Sequence, residues 1–434
     1  MKKTDYNPLD VFHPSSRKGG PRNHSAATSH LQNDKYMEDF DKAWHEMNGL
    51  SMQPKGKPMN TWAKATAPPN MPCSQKYPSS VTMLWSQGPS NPDGVQADIS
   101  NLPSLCSAAN WAKNEVVIGS SDHALYIVDA TKGTHKRTLY TKTCGHTEWV
   151  SCVTYLPDGR IVSGGMDAKM WLWPTGSVRG IQMEGHSGPI SKVEFDSSTG
   201  GVISASYDKT VRLWNVGARC SEIGCMSGHD APVLELGVAN GKLVSGDRSG
   251  NVILWDPNTA DASWRLKNIH KGHVTSLAWG DDRDQACSGL FFSGGQDGYL
   301  RVWDPRTREN LAKIQLHVNE HGRGAVSQII AGGAAAAGMV VSSGADGTCR
   351  ILDPKMSYSE LANIQLTNFP YSMAVAGGLA LVGCGDGAMH VIDIVKGTTL
   401  YALGAHKGAV RSIDACEDRV ITSGDDGNTM LYYF

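Results

Sequence analysis

Serine and aspartate recur four residues apart in this chain, as Ser163 and Asp167, Ser204 and Asp208, and Ser293 and Asp297. With fifteen histidines available, such pairs suggest the serine nucleophile of an acyl-transfer enzyme. A catalytic triad is needed once, however, and a pair that returns in unit after unit is structural. His270 and His273 stand three apart, a spacing that suits metal ligation, but they read as one structural histidine and one surface residue. Cys220 and Cys225 share a connecting segment without zinc spacing. No phosphate-cradling G-x-x-x-x-G-K-[ST] loop, H-E-x-x-H pair or G-x-S-x-G elbow occurs. The expectation is a protein without enzymatic activity and without a cofactor or metal.

Elements that would position these residues follow from the rest of the composition. The 434 residues carry 40 Lys and Arg against 42 Asp and Glu, so net charge argues for neither nucleic acid nor an acidic membrane as partner. No apolar run is long enough to span a bilayer, so no membrane insertion is expected, and the first thirty residues are not signal-like. Ten scattered cysteines without a C-x-x-C pair point to reduced thiols and a cytoplasmic or nuclear setting. Forty-eight glycines and twelve tryptophans exceed ordinary usage, and both are periodic.

One frame of small residues, acidic turn and alternating apolar strand recurs. It reads SGGMDAKMWLW (163–173), SASYDKTVRLW (204–214), SGDRSGNVILW (245–255) and SGGQDGYLRVW (293–303). Weaker copies end at residues 128, 352, 392 and 432, so the period is 40 to 49 residues. Each unit alternates strand and turn, and no helical period survives in 104–434. The fold class is all-β.

These residues resemble the WD40 repeat family. Trp255-Asp256 and Trp303-Asp304 are literal WD pairs, and Gly-His pairs precede units at His146, His186 and His229. The resemblance implies a β-propeller in which His, Ser, Asp and Trp form a structural tetrad. It maps onto His146, Ser163, Asp167 and Trp173, onto His186, Ser204, Asp208 and Trp214, and onto His270, Ser293, Asp297 and Trp303. The fourth unit has Ser249 where Asp is expected. The last three replace Trp by Leu352, Ile392 and Tyr432, and the first and seventh lack the His. Counting units gives eight blades, with seven, the commoner number in the family, as the alternative. The chain stops after a third strand, so 79–87 (SSVTMLWSQ) is expected to supply the outer strand that closes the ring.

The resemblance also implies that partners dock on the face where loops enter the innermost strands. Two positions per unit point there: Trp149 and Met166, Pro189 and Tyr207, Pro232 and Arg248, His273 and Gln296, then Ala325 and Ala345, Tyr371 and Gly385, Ala409 and Asp425. The first half is rich in interface-anchoring types and the second is nearly featureless. Val302 to Arg306 resembles the W-D-x-R box of cullin-4 substrate receptors, which arises readily inside such repeats. Residues 1–77 form an arm of local charge +4, set apart from a propeller at 78–434. Within it Tyr36, Met37, Phe40, Trp44 and Met47 predict an amphipathic helix over 34–48. That stripe would pack on the propeller or on another subunit. The expected function is a protein-interaction scaffold, a subunit of an assembly whose partners are other proteins, with the ubiquitin-ligase receptor as alternative.

Overall fold

A computed structural model describes residues 85–217, 220–318 and 324–434 of the chain. The helix expected at 34–48, with Tyr36, Phe40 and Trp44, lies outside these residues. Eight four-stranded antiparallel sheets are arranged as eight blades. In blade 2 the strands are Val150–Tyr155, Ile161–Gly165, Met170–Trp173 and Ile181–Met183, from the axis outward. Blade 1 begins at Ser104, and blades 3 to 8 begin at Ile190, Val233, Val274, Val326, Pro370 and Val410. Innermost strands pack against those of the neighbouring blades, and blade 8 meets blade 1. The middle strands are the apolar ones, as in Ile161–Gly165 and Gly201–Ser206, which are buried throughout. Sheet faces stacked on neighbours on both sides bury residues of either parity.

Each innermost strand carries a β-bulge just after its first residue. The bulge turns a hydroxyl toward the next blade. Ser151 donates to Ile190 O at 2.6 Å, Ser191 to Val233 O at 2.8 Å, Thr275 to Val326 O at 2.5 Å and Ser372 to Val410 O at 3.0 Å. Adjacent blades are thus pinned near the axis as well as glued by apolar contact.

The ring closes differently from the sequence expectation. Val95–Asp98 is the outer strand of blade 8, pairing Val95 with Leu431 and Asp98 with Asn428. Within the expected stretch, Trp85 to Gln87 form a helical turn off the sheet, and 79–84 lie outside the described residues. Trp85 instead plugs the seam between blades 7 and 8, fully buried among Leu381, Val391, Tyr401 and Tyr432. Its indole stacks on Phe434 with centroids 3.9 Å apart, and its Nε1 donates to Glu417 O at 2.9 Å. Tyr401 returns a hydrogen bond to Trp85 O at 2.7 Å. Within the described part of that stretch, Trp85 is a deep anchor rather than a strand residue. Gly94, with φ of +67°, then lets the chain pass Tyr432, where a Cβ would meet Cε1 at 2.8 Å.

The tetrads are present as chains of hydrogen bonds. In blade 3, Trp214 Nε1 donates to Ser204 Oγ at 2.7 Å, and His186 bridges Ser204 at 2.7 Å and Asp208 at 2.7 Å. Blades 2 and 5 repeat this through His146, Ser163, Asp167 and Trp173, and through His270, Ser293, Asp297 and Trp303. The aspartate also caps the following loop, as Asp167 does for Thr147 N at 2.9 Å. A donor at Trp, a hydroxyl that both accepts and donates, and an imidazole ending on a carboxylate satisfy every buried polar group in turn.

Blade 4 corrects the reading at Ser249. His229 bridges Asp247 at 2.9 Å and Ser245 at 2.6 Å, and Trp255 donates to Ser245 at 2.7 Å. Asp247 pairs with Val233, the register that Gly165 and Gly295 hold in blades 2 and 5. A Cβ on those glycines would come within 2.4 Å and 2.3 Å of the histidine Nδ1. From that position a carboxylate reaches the imidazole directly, so the acid is displaced by two residues rather than lost. Without Trp, blade 6 keeps His317, Ser342 and Asp346, and blade 8 keeps His406, Thr422 and Asp426.

Burial by itself would raise the Asp426 carboxyl, but hydrogen bonds from His406 and from the Lys407 and Asn428 backbone outweigh it and hold its pKa at about 2. Asp167, Asp247, Asp297 and Asp346 are lowered in the same way. Against about 3.9 in an unfolded chain, each contributes stability that is present above about pH 4 and lost as pH falls toward 2. Acid unfolding monitored by circular dichroism should therefore be centred in that window. Asp247→Ala should cost about 3 kcal/mol in urea denaturation, because it strands buried partners. Ser249→Ala, at an exposed turn, should stay within about 0.5 kcal/mol of the parent. Trp85→Ala should cost about 3–5 kcal/mol by the same measurement, as a buried aromatic truncated at the seam.

Candidate partner-binding faces

On the face where loops enter the innermost strands, the two expected positions of each blade are tied by one backbone hydrogen bond. Met166 N donates to Trp149 O, Tyr207 N to Pro189 O, Arg248 N to Pro232 O and Gln296 N to His273 O, all at 2.9 Å. Ala345 N to Ala325 O at 2.7 Å and Asp425 N to Ala409 O at 3.0 Å continue the rim. The rim is a rigid display, since its backbone polar groups are paired to each other.

What the side chains do on that rim departs from expectation. Tyr207 and Met166 are 2% and 3% exposed, and His273 is also buried. Trp149, Arg248 and Gln296 are half-buried. Loop position alone sets which way a residue points, but not how closely the next loop covers it. The backbone at Tyr207 is itself closely approached by the 186–189 loop, where a Cβ on Gly188 would meet Asp208 N at 2.8 Å. Met166, Tyr207 and His273 therefore support the rim, and His273 Nε2 lies 3.4 Å from Arg248 Nε.

Blade 7 shifts the register. Its innermost strand starts at Pro370, paired with Cys384, so Gly385 N bonds Phe369 O at 2.9 Å and Phe369, rather than Tyr371, is the rim residue. Pro370 stands where the innermost strands of blades 2, 4, 5, 6 and 8 begin with valine. Tyr371 packs edge-on to Phe369 at 4.9 Å and lies 4.6 Å under the Arg411 guanidinium. Arg411 grips Asp425 through two hydrogen bonds of 2.6 and 2.9 Å. The second half of the ring is consequently not featureless: blades 7 and 8 present an aromatic and ionic cluster.

Around the axis, Lys192 Nζ lies 3.0 Å from Glu235 and 3.9 Å from Glu194. Glu235 raises the Lys192 pKa, while burial pushes the Glu194 carboxyl up. This cluster escaped the sequence reading, although charges at alternating positions of innermost strands are its signature. Across the opposite face, a groove of about 360 Å³ between blades 4 and 5 is lined by Trp255, Trp279, Pro257, Pro305, Lys242 and Arg306. Arg306 holds Asp304 through two hydrogen bonds of 2.9 Å, with its side chain 70% exposed. Among the described residues no three His, Cys, Asp or Glu side chains converge to hold a metal. Among them, too, no helix is long and apolar enough to cross a membrane.

Comparison with known proteins agrees with this geometry. The family model described as "WD domain, G-beta repeat" matches residues 136–174, 178–215 and 264–304. Those spans cover the third strands of blades 2, 3 and 5, the three whose tetrads are in standard register; blade 4, with its displaced aspartate, is passed over. WD repeat-containing protein 1 of Gallus gallus is 27% identical over 324 residues, 72% of this chain and 51% of its own. A guanine nucleotide-binding protein subunit beta of Solanum tuberosum is 29% identical over 320 residues, 69% of this chain and 80% of its own. The crystal structure of Saccharomyces cerevisiae Sqt1 superposes with a TM-score of 0.70 at 12% identity, covering 79% of this chain and 98% of that one, a likeness of fold alone. The chain spans about half the length of the first of these curated relatives. With three repeats matched by the family model, and four of the eight sheets carrying the complete hydrogen-bonded tetrad, the chain is a propeller built of WD40 repeats.

Proposed function

We propose that this propeller is a non-catalytic scaffold that docks other proteins, as one subunit of a larger assembly. One observation carries the reading. The serines that resemble nucleophiles, Ser163, Ser204, Ser245, Ser293 and Ser342, are wholly buried and already bonded to histidine. The residues that could do chemistry are used to hold turns, which leaves the loops as the surface that varies from blade to blade. In the relatives' family such surfaces bind proteins. Here the half-buried Trp149, Arg248 and Gln296, with Tyr371 and Arg411 across the ring, supply the aromatic and arginine types that anchor interfaces. Tyr36, Phe40 and Trp44 of the arm form a second docking element in this proposal.

The test uses the full-length chain. Trp149→Ala combined with Arg248→Ala should keep the melting temperature within a few degrees while removing a defined subset of partners, as measured by affinity capture with quantitative mass spectrometry. A folded variant that recovers every partner at parental levels would place docking elsewhere. The exposed guanidinium of Arg306 favours a second reading, that of a receptor for a cullin-4 ligase. In that case purified ligase adaptor binds the parent and not Arg306→Ala; an adaptor that ignores the parent ends the idea.

A further inference from the structure

The third strands of blades 3, 5 and 6 each place an arginine opposite the network serine: Arg212 opposite Ser204, Arg301 opposite Ser293 and Arg350 opposite Ser342. In blades 3 and 6 the guanidinium is neutralised within its own sheet. Arg212 binds Glu222, and Arg350 binds Glu360 at 2.8 Å. Both glutamates hold the same register, paired with Trp214 and Leu352. Each Nε also faces a threonine hydroxyl two residues back, Thr210 or Thr348, at 3.4 Å.

Blade 5 has replaced all of these. The residue two back is Tyr299, and the residue paired with Trp303 is Asn310. Directly across from Arg301 stands Lys313, where blades 3 and 6 have Cys225 and Asn363. Arg301 Nε is buried without a hydrogen-bond partner. The Lys313 ammonium lies 4.8 Å and the Arg301 guanidinium 5.9 Å from the Tyr299 ring centroid. Asp297 pulls on Arg301 electrostatically, but its oxygens already serve His270 at 2.9 Å, Lys271 N at 3.0 Å and Tyr299 N at 3.3 Å. Burial lowers the Arg301 pKa against the pull of Asp297, as befits a guanidinium short of compensation.

We infer that the outer wall of blade 5 at Tyr299, Arg301 and Lys313 binds an acidic segment of a partner protein, one carboxylate lying between the two cations. The occupant's charge follows from the missing glutamate: the wall lacks the acid that its sister blades carry internally. A protein rather than a nucleic acid fits because two cations release too few counterions to hold a polyphosphate. Leu311, 49% exposed, lies two residues before Lys313 on the same edge strand, so an acidic residue beside an apolar one in an extended segment matches the wall. This rests on the propeller being a protein-docking scaffold and names the chemistry of one docking surface.

The probe is a fluorescein-labelled octaglutamate peptide, titrated with full-length protein at low salt and read by anisotropy. Saturable binding is expected, weakened at least fivefold by Lys313→Ala. Asn310→Glu, which restores the internal acid, should weaken it at least fivefold while leaving the melting temperature equal or higher. Absent saturable binding, or affinities within twofold across the three proteins, would overturn the inference. So would an eight-nucleotide single-stranded RNA that binds more tightly and is lost in the same variants. The Trp149 and Arg248 variants should leave the titration unmoved, so failure here and failure of the scaffold reading are separately visible.

Discussion

Everything in this molecule depends on covering the last open sheet edge. Seven blades complete themselves from consecutive sequence, but the eighth takes its outer strand, Val95–Asp98, from the other end of the propeller. A sheet edge left open in a ring of apolar sheets is an invitation to pair with a foreign strand. The four-residue pairing is short, and its hold is reinforced by Trp85, whose hydrogen bond to Glu417 links residues 332 apart in sequence. Once that seam is shut, each sheet has a neighbour on either side and the rim loops acquire fixed backbones.

Parts of the structure that obey a local rule were legible in the sequence. The tetrads of blades 2, 3 and 5 were readable because Ser, Asp and Trp sit at constant offsets within one hairpin. Asp247 was not, because it reaches the same imidazole from a backbone position two residues away, and linear spacing does not encode reach. The closing strand VQAD alternates apolar and polar residues, but over only four positions, too few to stand out, whereas Trp85 in the longer stretch 79–87 serves a seam between blades instead of a sheet. On the rim, the sequence revealed most of the positions that face the loops, yet the depth of Tyr207 and Met166 depends on tertiary packing and had no local signal.

A single chemistry serves two ends in this fold. Histidine, aspartate and serine are spent on satisfying buried polar groups, which is why Ser163, Ser204, Ser245, Ser293 and Ser342 are buried and bonded rather than presented as nucleophiles. What distinguishes one blade from another then lies in exceptions to the repeat. The Arg411 and Asp425 clasp, the Lys192 cluster at the axis and the unmatched Arg301 are each places where one blade abandons what its sisters do. In a repeat protein the consensus describes the fold, and the departures are where recognition can be sought.

The seam at Val95–Asp98 also sets an order of events during synthesis. Its partner strand, Asn428–Tyr433, is made about 330 residues later. At ribosomal speeds of about 5–20 residues per second, the early segment waits roughly 15 to 65 s for its mate. Through that interval Trp85 has no pocket, since Tyr401, Glu417 and Phe434 do not yet exist. The nascent ring is thus a crescent with an unpaired flank and an unburied indole, and the moment of greatest need for a chaperone falls just before the final blade leaves the ribosome.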